Sequence, residues 1–135
     1  MAERALVSGA EVDSPDVRAW SLASGLGRVG FGVAMLAAPE WAVRALGFSE
    51  VTPTTAAVTR LAGVRDFVLG AVTLGALGDR DRLLSATVAN ATADAGDTVA
   101  FAVALRAGER GAAIRGLAAA LPATIAGIWV TRRLT

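Results

Sequence analysis

The chain has 135 residues, of which 54% are hydrophobic, 19% charged and 5% aromatic, with 15 Gly and no Cys, His or Tyr, and that length holds one domain. All basic residues are Arg, 13 against 12 acids, so the net charge of +1 provides no clustered basic face and no nucleic-acid partner is expected. The missing Cys and His exclude a disulfide framework, a thiol nucleophile, a Ser-His-Asp triad, an imidazole base and ordinary zinc or haem ligation, so neither metal nor cofactor is expected.

Residues 1–16 carry Glu3, Glu11, Asp13 and Asp16 with no apolar run behind Met1. They resemble neither a signal peptide nor a transit peptide and read as a retained, disordered cytoplasmic tail. Ser14-Pro15-Asp16 has the order of a helix start: a hydroxyl cap, Pro at the first helical position and an acid at the positive end of the dipole. From Val17 to Ala38 the residues are apolar or small apart from Arg18, Arg28 and a few Ser, and Pro39 stops the run. Such a length matches the roughly 20 residues needed to cross a bilayer. Pro39 to Gly47 mixes Glu40 and Arg44 with Trp41, Val43 and Leu46 and reads as a short interfacial helix ended by its Gly.

Thr52-Pro53 repeats the start signal, and Thr54–Leu77 forms a second span closed by Gly78 and the charged turn Asp79-Arg80-Asp81-Arg82. Leu83–Ala107 is the third span, followed by Gly108-Glu109-Arg110-Gly111, and Ala112–Val130 the fourth, with a kink expected at Pro122. The expected architecture is all-α: a four-transmembrane-helix bundle over residues 17–135 with a short interfacial helix between helices 1 and 2. A soluble four-helix bundle is the competing reading. Three features favour the membrane. Trp20, Trp41 and Trp129 fall near span ends, as in an aromatic belt. Small residues recur at four-residue spacing, as in Ala112/Gly116/Ala120 and Ala123/Gly127. Residues 117–130 lack the polar face of a soluble amphipathic helix. Arg4, Arg18, Arg80, Arg82, Arg132 and Arg133 outnumber Arg44, Arg106 and Arg110, which by the positive-inside rule puts both termini in the cytoplasm of a bacterial inner membrane.

The third span places Asn90, Asp94 and Asp97 on one helical stripe, with Thr87, Thr98 and Phe101 on or beside it. The second contributes Arg60, Arg65 and Asp66, and the first contributes Arg28 with Ser21 and Ser24 on its side. Counting residues at about 1.5 Å each brings Arg28, Arg65, Asp66 and Asp94 to mid-depth, with Asp97 and Arg60 towards the non-cytoplasmic half. Ions at that depth must turn inward and pair. The expected network has Arg28 and Arg65 around Asp94, and Arg60 reaching Asp97. Such groups mark ligand sites or ion paths in membranes, whereas the alternative is a network that only fixes helix register. Asp94 and Asp97 also have the spacing of a proton-sharing pair, which nearby Arg opposes. The run Gly25-Leu-Gly-Arg-Val-Gly30 is better explained by close helix packing than by phosphate binding.

Arg60-Leu-Ala-Gly-Val-Arg65-Asp66-Phe-Val-Leu-Gly70, followed by Asp94-x-x-Asp97 in the next span, resembles a group of small four-helix membrane proteins of unassigned function within the DoxX-like set. The resemblance covers most of residues 18–131. It implies a four-helix transmembrane bundle with the Gly63 to Asp66 segment and the paired Asp on facing helices. Some members of the wider set are associated with quinone or thiol redox systems, and thiol chemistry does not carry over to a chain without Cys.

Three functions follow as expectations. The first is a polytopic membrane protein whose Arg/Asp pocket binds or passes a small amphiphilic or anionic ligand, such as a quinone or lipid. Arg60 and Arg115 motivate the anionic choice. The second is a membrane-embedded acid–base enzyme, an isomerase or cyclase, with Asp94 or Asp97 as its acid. The third is a structural subunit whose small-residue faces dock a partner or a second copy as a homo-oligomer.

Overall fold

The computed structural model describes residues 14–135, so most of the expected N-terminal tail lies outside the described residues. Among these there are five helices and no strand: α1 Pro15–Ala37, α2 Pro39–Ala45, α3 Pro53–Gly75, α4 Arg80–Arg106 and α5 Arg110–Leu134. The four long helices and the short one stand where the sequence puts them. Each of the first three begins with Pro, where the missing N–H costs no helical hydrogen bond. The caps differ from one another. Thr52 and Thr55 form a reciprocal capping box at α3, and Asp79 caps α4 through the Arg82 N–H. Ser14 does not use its hydroxyl: its backbone carbonyl accepts from Arg18 N at 3.1 Å and no side-chain cap forms. Gly47, Gly78 and Gly108 follow α2, α3 and α4 with φ of +92°, +92° and +98°, the left-handed turn that a side chain would strain. α5 continues as helix through Pro122.

The bundle is built from two pairs. α1 packs along α3, and α4 along α5, while the two pairs touch one another far less. The α1–α3 seam is antiparallel and glycine-lined, with Gly25 facing Gly70 and Gly32 facing Gly63. A Cβ on Gly32 would lie 2.6 Å from the Gly63 carbonyl oxygen, and one on Gly70 would lie 2.7 Å from the Gly25 carbonyl oxygen. Backbone contact of this closeness is what small-residue helix faces allow. It bears out the packing explanation for Gly25, while Gly27 and Gly30 of the same run face open space. In the second pair Gly127 lies against Ala91, and Gly116 against the ring of Phe101.

One end of the bundle is sealed. Val17, Ala76, Leu83, Ala86, Val130 and Leu134 form a buried apolar cluster where α1 begins, α3 turns into α4, and α5 ends. Both ends of the described chain therefore meet the α3–α4 turn, as the four-helix topology requires. At the other end the chain turns through 116° from α1 into α2. Ala42 and Val43 of α2 are buried, whereas Glu40, Trp41 and Arg44 are exposed.

Among the described residues, α5 alone is apolar enough by length and composition to cross a membrane, and α1 with α2 meets the same test as a bent pair. α3 and α4 fall short because of the charges they carry in mid-helix. Where those charges point is decided by the site.

Candidate functional site

Two seven-residue stripes run down α3. Gly63 and Gly70 face α1, while Thr59, Asp66 and Thr73 are buried on the interior side. Seven residues are close to two helical turns, so Asp66 and Thr73 stand one above the other. α4 brings Thr87, Asn90 and Asp94 to the same interior, and α1 brings Ser21 and Arg28.

Arg28 donates through Nη1 to Asp66 Oδ1 at 2.9 Å and through Nη2 to Asp94 Oδ1 at 2.5 Å. It therefore ties α1 to both α3 and α4. Arg65 forks onto Asp97, Nη1 to Oδ1 and Nη2 to Oδ2, both at 2.7 Å, and also donates to Asp66 Oδ1 from Nε at 3.3 Å. This planar two-point contact is the strongest geometry a guanidinium has with a carboxylate. The inner members, Asp66, Asp94 and Arg28, have side chains 8%, 11% and 12% exposed, against 31% and 38% for Asp97 and Arg65. The network thus has a buried core and a wetter edge.

The network gathers most of the expected residues, with different pairings. Arg28 reaches Asp94 as expected. Arg65 turns to Asp97, and Asp66 rather than Asp94 is shared by both guanidiniums. Arg60 does not take part: it is exposed and forms no ion pair among the described residues. It lies five residues before Arg65 and thus about 140° around the helix from it, so its side chain leaves the bundle on another face. Arg115 is also exposed and donates to the Ala45 carbonyl at 2.9 Å, pinning the end of α2 to α5. Asp94 and Asp97 each hold a different guanidinium, an arrangement unsuited to sharing one proton between them. Asn90 stands deeper and donates from Nδ2 to Thr73 Oγ1 at 2.8 Å.

The network floors a cleft of about 620 Å³ between the two helix pairs, within the size range of small-molecule sites. Its floor is Arg28, Arg65, Asp66, Asp94 and Asp97, and its walls include Trp20, Phe31, Met35, Val58 and Phe101. Leu46 and Phe48, from the connection after α2, reach its far end. Of these walls the sequence places Phe101 beside the polar stripe; Thr73, Phe31, Met35 and Val58 are not among its expected site residues. The seven-residue recurrence of Thr59, Asp66 and Thr73 would have found Thr73; nothing local marks Phe31 or Met35 as cleft walls rather than core. Among the described residues no group of three or more acids is placed to hold a metal ion.

In comparison with known proteins, no family model, no curated protein and no solved structure matches the chain.

Proposed function

We propose that the chain is a four-span membrane protein whose cleft binds, or assists the passage of, a small amphiphile. The observation that carries this reading is the reversed distribution of polarity. Asp66, Asp94, Asn90, Thr73, Thr87 and Ser21 are buried, while Leu22, Leu26, Leu61, Val64, Val68, Val72, Val99, Val103, Ile114, Leu121, Ile125 and Ile128 are exposed. Exposed apolar surface of that extent marks a contact with lipid or protein, and ions in a membrane helix face inward and pair. α3 and α4 then cross as members of a bundle, their charges satisfied internally and their outer faces apolar. Membership in the DoxX-like group belongs to the same reading.

An inner-membrane location with both termini cytoplasmic is supported by the charges at the sealed end. Arg18, Arg80, Arg82, Arg132 and Arg133 cluster there, and Arg133 lies over the Trp129 ring at 5.3 Å, the cation–aromatic pairing suited to a head-group layer. An amphiphile fits the cleft because ionic and apolar side chains line one volume.

Carbonate extraction of expressing cells should leave the chain in the pellet, and native mass spectrometry from a neutral detergent should show a co-purifying small amphiphile. Release into the supernatant would overturn the membrane reading. A fully retained chain without added mass, stable equally with and without lipid extract, would overturn the binding role.

A further inference from the structure

Two side chains beyond the cleft floor are more than nine-tenths buried and have polar atoms without a partner: Ser21 Oγ and Asn90 Oδ1. The orientation of Asn90 is fixed by its neighbour. Thr73 Oγ1 gives its proton to the Leu69 carbonyl at 2.8 Å, so towards Asn90 it can only accept, and Nδ2 supplies the donor. Oδ1 is therefore an acceptor lacking a donor in a site where that is costly. Ser21 and Asn90 line a small cavity of about 20 Å³, which shares Trp20, Ser24, Asp94 and Ala123 with the cleft. Asp94 completes the set: Oδ1 holds Arg28, and Oδ2 accepts no hydrogen bond among the described residues.

Charge points the same way. Two guanidiniums meet three carboxylates in the network, leaving one formal negative charge over. Arg60 and Arg115, which motivate an anionic ligand in the sequence, are not part of the cleft. An anionic head would sit against a surplus carboxylate and an acceptor already in want of a donor.

We propose that the cleft takes a lipophilic primary amine in its ammonium form, which rests on the reading of the cleft as an amphiphile site and names its ligand class. The head enters the small cavity and gives its three N–H groups to Asp94 Oδ2, Asn90 Oδ1 and Ser21 Oγ. A primary ammonium is about the size of a water molecule, and a 20 Å³ cavity has room for one such group. Water supplies two donors and no charge, whereas ammonium supplies three donors and cancels the surplus. The hydrocarbon or aryl body runs back along Phe31 and Phe101, with Trp20 beside the charge in a cation–aromatic position.

The test is calorimetric titration of the full chain in maltoside detergent and phosphate buffer at neutral pH with four probes of one skeleton: phenethylammonium, phenethyl alcohol, phenylacetate and phenethyltrimethylammonium. Phenethylammonium should bind at least tenfold more tightly than the alcohol, and phenylacetate more weakly than the alcohol. The trimethylated head, too large for the cavity, should lose at least tenfold against the primary amine. Ser21→Ala and Asn90→Leu should each weaken phenethylammonium several-fold and leave the alcohol unchanged. Ser21→Ala removes a single oxygen and keeps the test usable if Asn90→Leu does not fold. Equal binding of amine, alcohol and acid, all lost in Phe101→Trp, would overturn the amine proposal while the amphiphile cleft stands. Binding of the trimethylated probe as tightly as the primary amine would overturn the placement of the head. Binding of none of the four would overturn both.

Discussion

Arg28 and Asp94 join the two helix pairs at their middle, Nη2 to Oδ1 at 2.5 Å, across a seam with little other packing. The contact does what apolar side chains do at the sealed end, with charge in place of area.

Arg28→Ala should therefore be among the most damaging single substitutions. It strips a partner from both Asp66 and Asp94, and breaking a buried pair from one side costs roughly 3 to 5 kcal/mol. Thermal unfolding in detergent should show the loss. Replacing Arg28, Asp66 and Asp94 together by apolar residues of similar volume should restore much of it, because no charge is then left unpaired.

Gly32→Ala and Gly30→Ala should shift stability in opposite directions. The first drives a Cβ to within 2.6 Å of the Gly63 carbonyl oxygen and the Phe67 nitrogen, whereas the second meets nothing within 4 Å. Forcing α1 and α3 apart costs about 1 to 3 kcal/mol, while Gly to Ala at an open helical position gains roughly 0.5 to 1 kcal/mol. The unfolding midpoints of the two variants measure both.

Arg60→Gln should lie within about 0.5 kcal/mol of wild type, as surface changes without partners do. A loss comparable with that of Arg28→Ala would mean that Arg60 joins the network after all.

Gly116→Ala should close part of the cleft. A Cβ there would overlap the Phe101 ring, and both residues line the cleft. Binding of phenethyl alcohol should fall several-fold, and the double variant Gly116→Ala/Phe101→Leu should recover it, because the smaller, more flexible side chain yields to the new methyl.

Much of this was legible in the sequence because it depends on local signals. Pro39, Pro53 and the three positive-φ glycines set the helix boundaries, and the spacing of Asn90, Asp94 and Asp97 set a common face. Pairing was less legible. Asp66 and Asp94 are alike as carboxylates, and which one a guanidinium reaches depends on how far α1 and α3 interpenetrate at Gly32 and Gly63. Arg60 shows the same limit: counting depth along the helix places it near the other charges, while its angle around the axis sends it outward. Asn90 lies on the interior side of α4 with Asp94 and bonds Thr73, and its unmet oxygen follows from where Thr73 spends its own proton, a relationship spread over two helices. Ser14 has the residue type of a cap, yet its hydroxyl accepts no N–H of the first turn, and only its own carbonyl, as at any helix start, takes the Arg18 N–H.

The apolar plug formed by Val17, Leu83, Val130 and Leu134 gives the molecule a fulcrum. The two helix pairs are clamped there by apolar contact, whereas at mid-length they are joined by ion pairs and the Asn90–Thr73 hydrogen bond. At the opposite end Arg115 of α5 holds the Ala45 carbonyl of α2 at 2.9 Å, so the cleft between the pairs is bracketed by apolar packing at one end and by a single charged hydrogen bond at the other.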